Sequence, residues 1–196
     1  MQEVHRLQRL KSRQKGLTLV ELMVALAVAG VLLSIGIPSF TNMIDTNRIK
    51  GAAETLYANV QRARSESIKR SDDIYVNFST NGSATWAYGV SDLDGCTLTV
   101  IDATNANACT ITVDDGDGTV HDLNGAVDTD DKLLMRFIGD QFVNVTMALN
   151  DFASGTQLAF DGRQGTAIGG TGTVQLTSGN GKRLDVRLAP LGQVRV

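Results

Sequence analysis

Glu21 is the one charge in an otherwise apolar run, Leu17 to Ile37, reading LTLVELMVALAVAGVLLSIGI. A carboxylate inside a bilayer costs roughly 2.5–3.5 kcal/mol on insertion scales, so Glu21 needs a reason to be there. Two readings are open. A cation pairs with it, or it snorkels to the interface, since it lies only about 6 Å along a helix from residue 17. Cys96 and Cys109 enclose a 12-residue loop, Thr97 to Ala108, with no Cys-x-x-Cys spacing. They are structural in either reading: a disulfide is expected, since the far side of a membrane is oxidising, with two free buried thiols as the alternative. Zinc needs about four ligands and is not indicated. Ten Asp and no Lys or Arg lie between Asp92 and Asp131. Within them, Asp114-Asp115-Gly116-Asp117-Gly118 has calcium-loop chemistry. An EF-hand, however, needs an acidic first ligand where Val113 stands, and flanking helices. A solvated acidic loop with Asp-Gly turns, or a calcium loop of another kind, remains. Lys182, Arg183, Arg187 and Arg195 form a late basic set. Arg183, Asp185 and Arg187 alternate, so a surface ion-pair row competes with phosphate contact. No Gly-x-Ser-x-Gly, P-loop, His beside a nucleophile or recognisable carboxylate pair occurs, so the chain reads as no enzyme and implies no cofactor or metal.

The elements that carry these residues follow from charge and period. Arg6, Arg9, Lys11, Arg13 and Lys15 face only Glu3 in residues 1–16, while the rest of the chain holds 13 basic and 20 acidic side chains. As a helix, the apolar run is about 31 Å long, the thickness of a bilayer core. It exceeds the roughly 7–15 apolar residues of a cleavable secretory signal, and Pro38-Ser39-Phe40 leads into further helical pattern. A membrane span is therefore expected. Five positive charges before it place the N-terminus in the cytoplasm and residues 41–196 across the membrane.

Lys15-Gly16-Leu17-Thr18-Leu19-Val20-Glu21, followed by the span, resembles the class III signal of type IV pilins and type II secretion pseudopilins. The resemblance implies cleavage by a prepilin peptidase between Gly16 and Leu17 and N-methylation of Leu17. It also implies that Glu21 pairs with the terminal amine of a neighbouring subunit during assembly. Pro38 stands where pilins often carry a helix-kinking proline. Leu17 departs from the usual Phe at the first mature position.

Beyond the span, Ile49, Ala52, Ala53, Leu56, Val60, Ala63 and Ser67 recur at helical spacing and predict one buried face over residues 41–70. After Ser71 the period becomes two. Ile74–Phe78, the turn Asn81-Gly82 and Thr85–Val90 read as a hairpin. Further strands are expected at 97–101, 110–113, 133–138, 143–149, 157–160, 173–177, 183–188 and 193–196. Ser178-Gly179-Asn180-Gly181 reads as a hairpin turn.

Ile37-Pro38-Ser39-Phe40, Ala63-Arg64-Ser65-Glu66-Ser67-Ile68-Lys69-Arg70, Phe160-Asp161-Gly162-Arg163 and Leu191-Gly192-Gln193-Val194-Arg195-Val196 are similar to segments of the GspH/FimT family of minor pilins. The Ala-Arg-Ser-Glu run leans toward its FimT-like pilus branch. The likeness implies partnership with other pilins or pseudopilins, and with the inner membrane. Some FimT-like pilins bind DNA through a C-terminal motif of the form Gly-Arg-x-Arg. Here that stretch is Gly192-Gln193-Val194-Arg195, with one cation missing, so DNA is the weaker partner.

The expected fold is α+β and pilin-like, a long N-terminal helix packed on an antiparallel β-sheet or sandwich. The expected divisions are a leader over 1–16, a transmembrane helix over 17–40, its amphipathic continuation over 41–70 and a β-rich periplasmic domain over 71–196.

Overall fold

The computed structural model describes residues 16, 18–80, 85–112, 132–152 and 155–196. It divides into two compact units, residues 1–41 and 42–196. One helix, α1 (Leu19–Arg70), supplies the end of the first unit and the start of the second. Thr18 caps it: the Glu21 N–H donates to Thr18 Oγ1 at 3.2 Å. With Glu21 at the third helical position, Thr-x-x-Glu has the spacing of a capping box. At the far end Lys69 and Arg70 complement the helix dipole. Two bonds close the terminus, Asp72 N–H to Ser67 O and Ser71 N–H to Ile68 O, both 3.3 Å. That pair defines a Schellman motif, here with Ser71 rather than glycine in the left-handed position at φ 57°.

Among the described residues the second unit has three sheets, all antiparallel. In chain order the strands are β1 (Ile74–Ser79), β2 (Ala87–Ser91), β3 (Thr110–Thr112), β4 (Lys132–Leu134), β5 (Arg136–Ile138), β6 (Val145–Asn150), β7 (Gln157–Phe160), β8 (Ala167–Ile168), β9 (Gly172–Ser178), β10 (Arg183–Leu188) and β11 (Val194–Arg195). The first sheet runs β5-β2-β1-β7-β8, the second β11-β10-β9-β6, and β3 pairs β4 alone. Alternation along β1 and β9 turns Ile74, Val76, Phe78, Val174 and Leu176 inward. They join one core with Ile49, Leu56 and Val60 of α1 and Val186, Leu188 and Val194 of the second sheet. All seven residues of the expected helix face are buried.

An aromatic row stiffens that core. Trp86 stacks between Tyr88 and Phe142, with centroids 6.3 and 6.1 Å away, and its Nε1 donates to Val145 O. Asn59 of α1 donates to the Tyr88 hydroxyl at 2.9 Å, tying helix to sheet.

Several strand expectations need correction. Residues 97–101 are turns and coil, not a strand: Leu98 is spent packing against β2, and Ile101 projects outward. Residues 133–138 break at Met135 into β4 and β5, which belong to different sheets. The strand expected from Val143 starts at Val145, because Asn144 turns the chain at φ 63°. The 193–196 strand shortens to two residues. β8 was unforeseen; two residues among glycines carry no periodicity. The β1–β2 hairpin forms in register, Tyr75 opposite Ser91, while its Asn81-Gly82 turn lies outside the described residues. The 178–181 turn joins β9 to β10, with Gly181 N–H bonded to Ser178 O.

Candidate functional site

Four groups of residues bear on function. The first is the apolar half of α1. From Leu19 to Ile37 its large apolar side chains are between 53% and 74% exposed. Water does not tolerate so continuous an apolar surface, so this segment requires lipid or other helices around it. Glu21 is exposed in the first helical turn. Gly16 is exposed with open space around it; Leu17 and residues 1–15 lie outside the described residues. Pro38 lies inside α1.

The second is the disulfide between Cys96 and Cys109. It packs on the outer face of β2 above Gly89. A Cβ at Gly89 would lie 2.5 Å from Cys109 Sγ and 2.9 Å from Leu98 Cδ2. That covering explains why all five residues of β2 are buried when β1 merely alternates. Asn77 donates to Cys96 Sγ, Arg136 Nε donates to Leu98 O, and Gln157 bridges Asn77 and Asp94. The acidic residues before and within the loop are hydrogen-bonded. Asp92 accepts from the Thr112 N–H and hydroxyl. Asp102 accepts both from Thr104, which lowers its carboxyl below the usual range. On the same side the Tyr75 hydroxyl is raised by burial and then by Asp73, Asp94 and Asp72. Segment 114–118 of the calcium expectation lies outside the described residues. Among the described residues no cluster of three or more His, Cys, Asp or Glu is placed to hold a metal.

The third is the basic set, which the structure splits. Arg183, Arg187 and Arg195 share the outer face of the second sheet: alternate positions of β10 carry two, and Arg195 of β11 pairs directly with Arg187. Arg187 also meets Asp185 at 3.2 Å, the expected surface ion pair. Lys182 is elsewhere, its Nζ donating to Thr46 of α1 at 2.6 Å.

The fourth group is a junction whose bonding was not foreseen. Arg64 Nε donates to Gly165 O at 2.9 Å and its Nη2 to Leu191 O at 3.3 Å. Ser67 reaches Asp161 O, and Asp161 Oδ1 accepts the Arg163 and Gln164 N–H groups. Gly192 sits at φ 72° with Gly165 O only 2.0 Å from any added Cβ. The family-like segments Ala63–Arg70, Phe160–Arg163 and Leu191–Val196 thus meet at one place. Their shared feature is mechanical, a helix arginine clamping two loops by their carbonyls.

A helix with an exposed apolar start, continuing into a closed, stapled head, defines a pilin-like subunit of a pilus or pseudopilus. Residues 11–37 match the prokaryotic N-terminal methylation motif, and residues 52–192 match the family described as type II transport protein GspH. The chain belongs to that GspH family. The type IV major fimbrial protein FimA of Dichelobacter nodosus is 28% identical over 155 residues, covering 76% of this chain and 92% of that one. A fimbrial protein of the same organism is equally similar. The type IV minor pilin FimU of Pseudomonas aeruginosa shares 16% identity over 79% of this chain and 91% of its own, with a TM-score of 0.49.

Proposed function

We propose that this chain is made as a prepilin, cut between Gly16 and Leu17 by a prepilin peptidase, and methylated on Leu17. It is then held in the bacterial inner membrane with its N-terminus cytoplasmic and its head periplasmic. There it assembles with other pilins in type IV pilus biogenesis. The observation that supports this best is the exposed apolar surface of α1, with Glu21 in its first turn. In a lone subunit that carboxylate stays near the interface. Among packed spans water is scarce and an unpaired charge is costly. The amine created at Leu17 of a neighbouring subunit offsets that cost and selects one axial stagger. Pro38 lacks the N–H that an uninterrupted helix needs, so it is the point where the span can flex against its continuation.

The test is Glu21→Ala in the membrane-bound chain. Cleavage should proceed, and co-purification with partner pilins should fall sharply. Failed cleavage assigns Glu21 to the peptidase instead, and unchanged co-purification shows that it only snorkels or caps.

A second reading, a pseudopilin of type II secretion, is favoured by the GspH family match. Deleting the gene and scoring piliation against protein secretion separates the two. DNA capture by Arg183, Arg187 and Arg195 has less support. Lys182 is tied to α1, and the family's first motif arginine is Gln193 here.

A further inference from the structure

Three segments of the second unit meet where its part of α1 begins. The 178–182 turn is tied to α1 twice. Asn180 Nδ2 donates to Asn42 Oδ1 at 2.8 Å, and Lys182 Nζ donates to Thr46 Oγ1 at 2.6 Å. The Thr46 hydroxyl donates its own proton to Asn42 O, which leaves its oxygen to accept the ammonium. A Cβ on Gly51 would lie 3.5 Å from the Phe142 ring, and one on Gly179 would lie 3.1 Å from Asn144 Cβ. The 142–144 bend therefore joins the same rim.

The chain fixes how far this rim can be from the apolar run. Asn42 and Thr46 stand five and nine residues beyond Ile37 in one helix. That is a reach of about 8 and 14 Å, and a bend at Pro38 redirects it without lengthening it. Headgroups extend about 6 Å beyond a bilayer core, and their charge is felt for about 8 Å more. The rim thus stays within the field of any membrane that takes the span.

Its charge suits that field. Residues 42–196 hold 13 basic and 19 acidic side chains. The rim has the opposite balance, Arg48, Lys50, Lys182 and Arg183 against Asp45 and Asp140. Asp45 is taken by Arg48 at 3.6 Å. Among the described residues no carboxylate forms an ion pair with Lys50, Lys182 or Arg183. Met43 and Val143 are exposed on the same segments. Exposed apolar side chains among unpaired cations form a surface that seats in a headgroup layer, and negative lipid strengthens it.

We propose that this rim binds the anionic phospholipid headgroups of the membrane that holds the span. The contact rests on the span reading above. It adds a charge-dependent hold on the head, which incorporation among packed subunits must release.

The full chain carrying Gln141→Cys, labelled with a fluorophore and reconstituted into vesicles, tests it. Gln141 is exposed beside Phe142, and the native cysteines are bonded to each other. Nitroxide on a small fraction of the phosphatidylcholine headgroups supplies the quencher. Quenching should be stronger in vesicles of phosphatidylcholine with phosphatidylglycerol than in phosphatidylcholine alone, and should drop to the lower level in high salt. Lys182→Gln keeps a donor for Thr46. Together with Arg183→Gln it should lower the bound-to-free ratio of the head about tenfold, since one cation near an anionic surface contributes up to about fivefold. Lys182→Arg should leave that ratio unchanged. Equal quenching in the two lipids, a difference that survives high salt, or one that the double variant retains overturns the proposal. Flotation with the vesicles after an alkaline wash reports on the span separately. A chain that floats without lipid-dependent quenching loses only the headgroup contact, and a chain that washes off loses the span reading and this contact with it.

Discussion

Gly89 shows how one missing methyl group organises the head. The staple rests on the backbone of β2, so any side chain there lifts Cys109 and Leu98 together. We expect Gly89→Ala to destabilise the head by about 2–4 kcal/mol, by overpacking of a rigid site, measured as a shift in urea midpoint with the disulfide intact. Removing reductant-sensitive closure should act in the same direction. Thiol alkylation of exported protein without reductant should label neither cysteine, and Cys96→Ser with Cys109→Ser should cost about 3 kcal/mol, the chain-entropy value for a loop of this size. Ser71 predicts the opposite sign. A serine in the left-handed position stores about 1 kcal/mol of strain. Ser71→Gly keeps both Schellman bonds and should raise stability by about 0.5–1 kcal/mol. Tyr88 supplies a pH signature. Burial lifts its hydroxyl to about 12, against a smaller lowering by Asn59. The neutral form is preferred when folded, so its contribution is complete below pH 10 and is lost as pH rises from about 10 to 12. Urea midpoints taken at pH 9 and pH 11 should differ, and Tyr88→Phe should shrink that difference.

Among the elements, α1 was the most legible. Seven residues at helical spacing named its buried face, because a helix laid on a core must repeat its contacts every turn. β1, β9 and β10 were equally plain, since each buries one side, and β7 stands where its short apolar run put it, buried at Leu158, Ala159 and Phe160. Prediction failed where a segment answers to something other than a sheet face. Residues 97–101 alternate like a strand, yet the staple at Cys96 and the packing of Leu98 bend them into turns. Residues 133–138 read as one run because nothing local marks Met135 as the point where the chain passes between sheets. The clamp formed by Arg64 was illegible for a related reason. Its partners are carbonyls, which every residue owns, and they lie 101 and 127 positions away. Arg64→Lys should preserve charge yet lose the two-pronged geometry. We expect it to loosen the 161–166 and 189–193 turns, seen as faster amide exchange there while the β1–β2 ladder stays protected.

For the whole molecule, the division after Thr41 separates two solvents. The core is built entirely from residues beyond it, and the exposed apolar surface of the span lies before it. A chain beginning at Asn42 should therefore be soluble and fold cooperatively without detergent, whereas the full chain should aggregate once detergent is withdrawn. Cooperative loss of the near-ultraviolet signal of the Trp86 stack is the readout. In membranes of a peptidase-competent host, the intact mass should equal residues 17–196 plus one methyl group. Retention of Met1 there is the outcome that removes the pilin reading.

The Arg64 clamp also sets a timetable. Its second prong waits for Leu191, and β11 adds to β10 only after the Gly192 turn. Any machine that delivers the chain in order, a ribosome or a pore, presents the helix long before its latch. Until residue 192 arrives, the head is an open clasp: Arg64 lacks its second prong and the edge of β10 lacks β11. Closure therefore waits for residues 189–195 and comes long after the helix has emerged.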